Sequence, residues 1–220
     1  WMHLELSDEH GAALLGRGRP GSVGEAFRRL AEDQGVRFPQ GHLKLDADVT
    51  ASPRETTIST LERWLDLFMA VGVRCGVIHP GGKAAASAGE EAGAAGRVKE
   101  ERIGAFAALC EHLRGTDFTI CLENVPNAPA AEDLLQIIDA VGSPALGICL
   151  DTGHLNLVSG DQLAFIESAG SRLRALHLAD NDGTRDQHQI PFGLGTVDWE
   201  AVCLGLARVR YGGLLNFEIP

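Results

Sequence analysis

Six ionisable side chains stand at or near the ends of short apolar runs: His42, His79, Glu123, Asp151, His177 and Glu218. Singly, each has an ordinary explanation. Asp151 in "DTGH" suits a turn cap, His79 merely ends a run before Pro80, and Glu123 before Asn124 suits a loop-amide acceptor. Together they do not, because carboxylates crowded into one cavity repel and are driven towards protonation unless a cation compensates. A divalent ion held by mixed nitrogen and oxygen ligands is the economical solution. Further ligand types follow in the loops. His154 lies three residues after Asp151, a spacing that lets both face one ion as a strand turns into a helix. Asp186 and His188 are two apart, so they point the same way if the segment is extended. Asp180 and Asp182, just ahead of Gly183, suit turn formers, and Arg185 suits either an anionic substrate or plain solvation. His3, His10 and His112 have no partner pattern.

These groups converge only if the chain between them builds the right scaffold. The apolar runs are 2–7, 41–47, 74–80, 118–125, 146–152, 175–180 and 214–219, each short and rich in Ile, Leu, Val and Cys. Strands buried on both faces of a parallel sheet look like that. Amphipathic stretches with readable ends lie between them. "SVGEAFRRLAEDQG" opens with the Ser22/Glu25 capping box and stops at Gly35. In "SPRETTISTLERWLDLFMAVG", Ile58, Leu61, Leu65, Phe68 and Met69 form one stripe ending at Gly72. "RVKEERIGAFAALCEHLRG" closes at Gly115, "PAAEDLLQIIDAVG" runs from Pro129 to Gly142, and weaker helices follow at 161–172 and 198–210. Repeated β-α units give a parallel sheet, doubly wound or closed into a barrel, and only closure brings the strand ends to one mouth. The biased segment "GGKAAASAGEEAGAAG" (81–96) reads as a flexible loop.

A chain of 220 residues with 45% hydrophobic content suits one soluble domain, 1–220. The net charge of −11 counts against a partner bound through a broad basic surface. Five cysteines without a C-x-x-C pair, three of them in apolar runs, read as free thiols of a reducing compartment, the cytoplasm. No apolar run approaches the length of a membrane span.

The segments "ENVPN", "GICLDTGHLNL", "HLADNDGTRDQHQIPFGLGTVDW" and "NFEI" resemble the xylose isomerase-like TIM barrel superfamily. That group includes sugar phosphate isomerases/epimerases and apurinic-site nucleases of the endonuclease IV type. The resemblance covers nearly the whole chain and is strongest from 118 to 219. It implies a (β/α)8-type barrel with one divalent ion, Zn, Mn, Mg or Co, on Glu123, Asp151, His177 and Glu218. It also implies that Glu123 and Glu218 flank the reacting carbon and exchange its proton through an enediolate, with His154 helping to hold substrate. In the nuclease type three zinc ions take nine ligands, which match His42, His79, Glu123, Asp151, His154, His177, Asp186, His188 and Glu218.

Only seven strands are recognisable where the family has eight. "WMHLELS" resembles the second, so the first strand and helix, and the last helix, are expected to be absent. Exposed strand edges would then favour a homo-oligomer. Three readings follow. The first is a metal-dependent isomerase or epimerase of a sugar, sugar phosphate or related polyol, favoured by the short chain and by early loops without basic and aromatic residues for gripping a bent duplex. The second is a zinc phosphoesterase of the AP endonuclease kind. The third is a truncated barrel that binds metal without turnover.

Overall fold

The computed structural model describes residues 2–81, 94–126 and 131–219. In chain order these form β1 (His3–Leu6), α1 (Asp8–Leu15), α2 (Pro20–Asp33), β2 (Arg37–His42), α3 (Arg54–Val71), β3 (Cys75–Ile78) and α4 (Ala94–His112). After them come β4 (Thr119–Glu123), α5 (Ala131–Val141), β5 (Leu146–Asp151), α6 (Thr152–Leu157), α7 (Gln162–Ala169), β6 (Leu173–His177) and α8 (Trp199–Arg208). The strands form one six-stranded sheet in chain order, and β1–β2, β2–β3 and β5–β6 pair in parallel. Contacts divide the chain into two compact units, Trp1–Ile120 with Ile137–Leu146, and Cys121–Gln136 with Gly147–Pro220.

In the first unit α3 supplies the core. Leu61, Trp64, Leu65, Leu67, Phe68 and Val71 are buried, a wider stripe than the periodicity predicts, while Ile58 and Met69 are half-buried. Two strand glycines let aromatic rings lie directly on the sheet: a Cβ on Gly41 would be 2.7 Å from the Phe68 ring, and one on Gly76 2.7 Å from Phe118. Gly24 plays the same part between helices, where a Cβ would fall 2.6 Å from that of Ala70. Gly72 ends α3 in the left-handed conformation at φ 97°, as the reading of its C-cap requires.

In the second unit Ile148, Cys149, Leu150 and Asp151 of β5 and Leu173, Ala175, Leu176 and His177 of β6 are buried. α7 buries Phe165, Ile166 and Ala169. α8 crosses α7 at Gly205, where a Cβ would sit 3.0 Å from Ile166.

Several expectations are corrected. The second strand is 37–42 rather than 41–47; the alternating "HLKLDA" mimics a strand, yet only Leu43 N continues the pairing, to Val77 O at 2.8 Å. The sixth strand ends at His177, and 214–219 is not a strand but a single bridge, Leu178 with Phe217. One matched pair does not make a ladder, and Leu215 stays 55% exposed. α2 starts at Pro20 with Arg19 as N-cap and no side-chain cap, so the Ser22/Glu25 box lies inside the helix: the proline start signal prevails. α1 and α6 are additional helices, capped by Ser7 and Asp151. Residues 82–93 of the biased segment and Pro129 lie outside the described residues. None of the five cysteines is in a disulfide, and Cys110, Cys121 and Cys149 are buried. No helix among the described residues is long and apolar enough to cross a membrane.

Candidate active site

Within the second unit, β4 ends at Glu123, β5 at Asp151 and β6 at His177, while Glu218 is held next to the last of these through its backbone, Glu218 N donating to Leu178 O at 3.2 Å. One ligand atom from each of Glu123, Asp151, His177 and Glu218 lies within 4.8 Å of the others. His177 Nδ1 faces Glu123 Oε1 at 3.2 Å and Glu218 Oε2 at 3.3 Å. Glu123, Asp151 and His177 are at most 1% exposed. Asp151 Oδ2 and Glu218 Oε2 are shielded from water and carry no hydrogen bond. Burial pushes the Asp151 carboxyl up to about 8, against the pull of the His154 charge and with the push of Glu123 and Glu218. Desolvated carboxylate oxygens aimed at one point, with an imidazole nitrogen, fit a divalent cation.

A second layer adjoins these four. His154 Nδ1 donates to the Asn124 carbonyl at 3.0 Å and lies 3.2 Å from Glu123 Oε1. His188 Nδ1 donates to the Glu218 carbonyl at 3.1 Å. Since carbonyls only accept, both rings carry hydrogen on Nδ1. Their Nε2 atoms then face the same carboxylate oxygen, Asp186 Oδ2, at 3.2 and 3.0 Å. A lone pair against a carboxylate repels, so each ring must gain a proton or share a cation. Burial works against charge on His154, but hydrogen bonds to Asp186 and Glu123 and the neighbouring carboxylates outweigh it and push the ring up to about 11. The hydrogen bond to Asp186 likewise pushes His188 up to about 9, and the two histidines hold Asp186 well below the usual carboxylate range.

His42 ends β2 and His79 follows β3, both in the first unit; their rings meet edge to face with centroids 5.2 Å apart, and His42 Nδ1 donates to Leu43 O at 2.6 Å. Arg185 is solvent-exposed. Asp182 is a turn former, accepting from Thr184 N at 3.0 Å beside Gly183 at φ 79°. Asp180 is not: it is buried and ties down a loop.

Sequence reasoning passed over the side chains that extend the sheet beyond its strands. The Asn124 amide donates to Asp151 O at 2.9 Å and accepts from Asp151 N at 2.8 Å, copying a ladder step. Thr152 Oγ1 donates to Ala179 O at 2.8 Å and accepts from Ala179 N at 3.1 Å. Asn181 Nδ2 donates to Gly153 O at 2.8 Å. Buried backbone groups at the mouth of the sheet are thereby satisfied.

Residues 6–220 match the family described as xylose isomerase-like TIM barrel. The chain belongs to that family. Among curated proteins it is 34% identical over 112 residues to the uncharacterised protein y4fM of Sinorhizobium fredii, covering 50% of this chain and 36% of that one. It is 28% identical over 167 residues to a ketose 3-epimerase of Arthrobacter globiformis, covering 72% and 53%. It thus spans about half, or less, of the length of these relatives. A crystal structure of D-psicose 3-epimerase in the presence of D-fructose superposes with a TM-score of 0.80 at 15% identity, covering 99% of this chain and 74% of that one. The fold is therefore that of the xylose isomerase-like barrels, in agreement with the parallel β-α alternation.

Proposed function

We propose that the chain is a divalent-metal-dependent epimerase or isomerase acting on a sugar, sugar phosphate or related polyol. The observation that carries it is the convergence of Glu123, Asp151, His177 and Glu218 ligand atoms within 4.8 Å, with two carboxylate oxygens desolvated and without hydrogen bonds. Similarity to a ketose 3-epimerase over 72% of the chain supports the same reading. Glu123, Asp151, His177 and Glu218 would hold one divalent ion, Zn, Mn, Mg or Co. When bound, the ion polarises a carbonyl and stabilises negative charge on the adjoining oxygens. Glu123 and Glu218 come from opposite ends of the second unit's sequence and meet across His177. One takes the proton from the carbon beside the carbonyl, giving an enediolate, and the other returns a proton to it. His154, its Nδ1 hydrogen engaged by the Asn124 carbonyl and its Nε2 by Asp186, helps to hold substrate beside Glu123, and Arg185 in the loop next to Asp186 meets an anionic group.

Incubating a panel of ketoses in deuterated water with each metal tests this. Exchange of the carbon-bound hydrogen is expected in one of them, falling about 10²–10⁴-fold in Glu123→Gln and Glu218→Gln. No exchange across the panel with any metal refutes the reading.

One observation favours a second reading, a phosphoesterase with more than one zinc ion. The two Nε2 atoms facing Asp186 Oδ2 form a set of three acceptors that a further cation would satisfy. Elemental analysis separates the two: one ion per chain supports the epimerase, two or three the hydrolase.

A further inference from the structure

A sixteen-residue loop, 182–197, carries Asp186 and His188 into the site, and nearly every tie at its base runs through Asp180 or the adjoining Asn181. Asp180 is 1% exposed. Its backbone pairs with Gln189 in both directions, at 2.9 and 2.8 Å, which fixes the outgoing arm next to His188. Its Oδ1 accepts from Asn181 N at 2.9 Å and from Val197 N at 3.1 Å, which fixes the returning arm. Its Oδ2 accepts from Trp199 Nε1 at 2.8 Å, which joins that arm to the start of α8. Asn181 O adds a bond from Thr196 N at 2.8 Å. The fit leaves no slack: a Cβ on Gly195 would lie 2.0 Å from Asp180 Oδ1 and 2.6 Å from Asn181 O. Immediately before the Gln189 tie His188 adopts a left-handed backbone at φ 47°, a conformation a histidine holds only when its surroundings impose it.

We propose that Asp180 is a positioning residue for the reaction, acting through the loop: with its backbone on the outgoing arm and its carboxylate on the N–H groups of Asn181, the returning Val197 and Trp199 of α8, it holds Asp186 and His188 against His154 and Glu218. The proposal rests on the reading of the strand-end cluster as the active site. It differs from the sequence expectation, in which Asp180 formed a turn. An amide cannot replace this carboxylate, because either orientation of an asparagine sets an NH₂ group against an N–H donor.

The test uses the full chain with Asp180→Asn, Gly195→Ala and Trp199→Phe, the last removing a single donor in case the first does not fold. Hydrogen exchange at loop amides, with Gln189 and Val197 foremost, is expected to quicken about tenfold or more in each, the factor that one lost buried hydrogen bond carries. The ¹⁵N signals of His188 are expected to lose the pattern of an Nδ1-bonded ring. Manganese affinity should stay within about threefold of the parent, since Glu123, Asp151 and His177 sit on strands rather than the loop. For a ketose that the parent turns over, KM should rise about tenfold with a smaller change in kcat. Unchanged exchange and His188 signals in every folded variant overturn the proposal, as does altered exchange with an unaltered KM. A parent inactive on all ketoses overturns the epimerase reading instead, while exchange and the histidine signals still judge Asp180.

Discussion

Replacing Asn124 by alanine isolates the energetic weight of a ladder step made by a side chain. Asn124 is 3% exposed and Asp151 1%, so water does not reach the two backbone groups that the amide serves. Its bonds to Asp151 N–H and C=O, at 2.8 and 2.9 Å, are both short. A buried donor or acceptor left without a partner costs about 1–3 kcal/mol, and the two groups share one site, so the sum falls to about 2–4 kcal/mol. A domain stable by about 5–15 kcal/mol survives that loss and remains measurable. Urea denaturation of the chelator-treated protein, followed by far-ultraviolet circular dichroism, reads it directly. Thr152→Val is the companion, since it keeps shape while removing the one hydroxyl that serves Ala179 N–H and C=O. The backbone carbonyl of Asn124, which accepts from His154 Nδ1, survives in the alanine variant. Loss of manganese affinity therefore reports displacement of Asp151 rather than of His154. A destabilisation below about 0.5 kcal/mol, the range of ordinary surface substitutions, refutes the argument by showing that the strand ends find other partners.

Two further outcomes are expected. Gly24→Ala should destabilise by about 1–3 kcal/mol in thermal melts, although alanine is the better helix former by about 1 kcal/mol, because the new methyl meets Ala70 Cβ at 2.6 Å and Leu67 O at 2.9 Å; a rise in Tm would contradict the close crossing of α2 and α3. In the chelated protein Asp151 is pushed up to about 8 from 3.8, and His154 and His188 up to about 11 and 9 from 6.5, so the folded chain holds more protons than the unfolded one and stability falls as pH rises from about 4 to 11. Saturating manganese should reverse that slope, because binding requires the ligands deprotonated and strengthens with pH; melts with the same sign of slope with and without metal would refute the site's demand for positive charge.

How much of this was legible in the sequence depends on what each residue's role requires. β4 and β5 stand out because strands buried on both faces leave continuous apolar runs, and the ionisable ends of those runs mark Glu123 and Asp151, as the end of β6 marks His177. β2 does not stand out: Pro39 and Gln40 lie inside it, while the alternation just after it imitates a strand. Glu218 is legible by type but not by element, because a single bridge to Leu178 suffices to hold it. Asn124, Thr152, Asp180 and Asn181 look like any turn formers, since whether an amide turns back onto a backbone depends on a neighbouring strand's end, which no local pattern contains. Yet their placement follows a physical necessity. Ligands must stand where the ladder stops, and there the last N–H and C=O groups lose their partners in surroundings too buried for water. Something in the next residue or two must replace them. Hence Glu123 is followed by Asn124, Asp151 by Thr152, and the strand bearing His177 by Asp180 and Asn181, each an amide, hydroxyl or carboxylate bonded to backbone. A ligand-type residue closing an apolar run, with such a side chain within a few positions after it, is therefore a sharper mark of a site at strand ends than the ligand alone. The same rule separates Asp180 from Asp182: both lie near Gly183, but only Asp180 is close enough to the strand to be buried with its broken ladder.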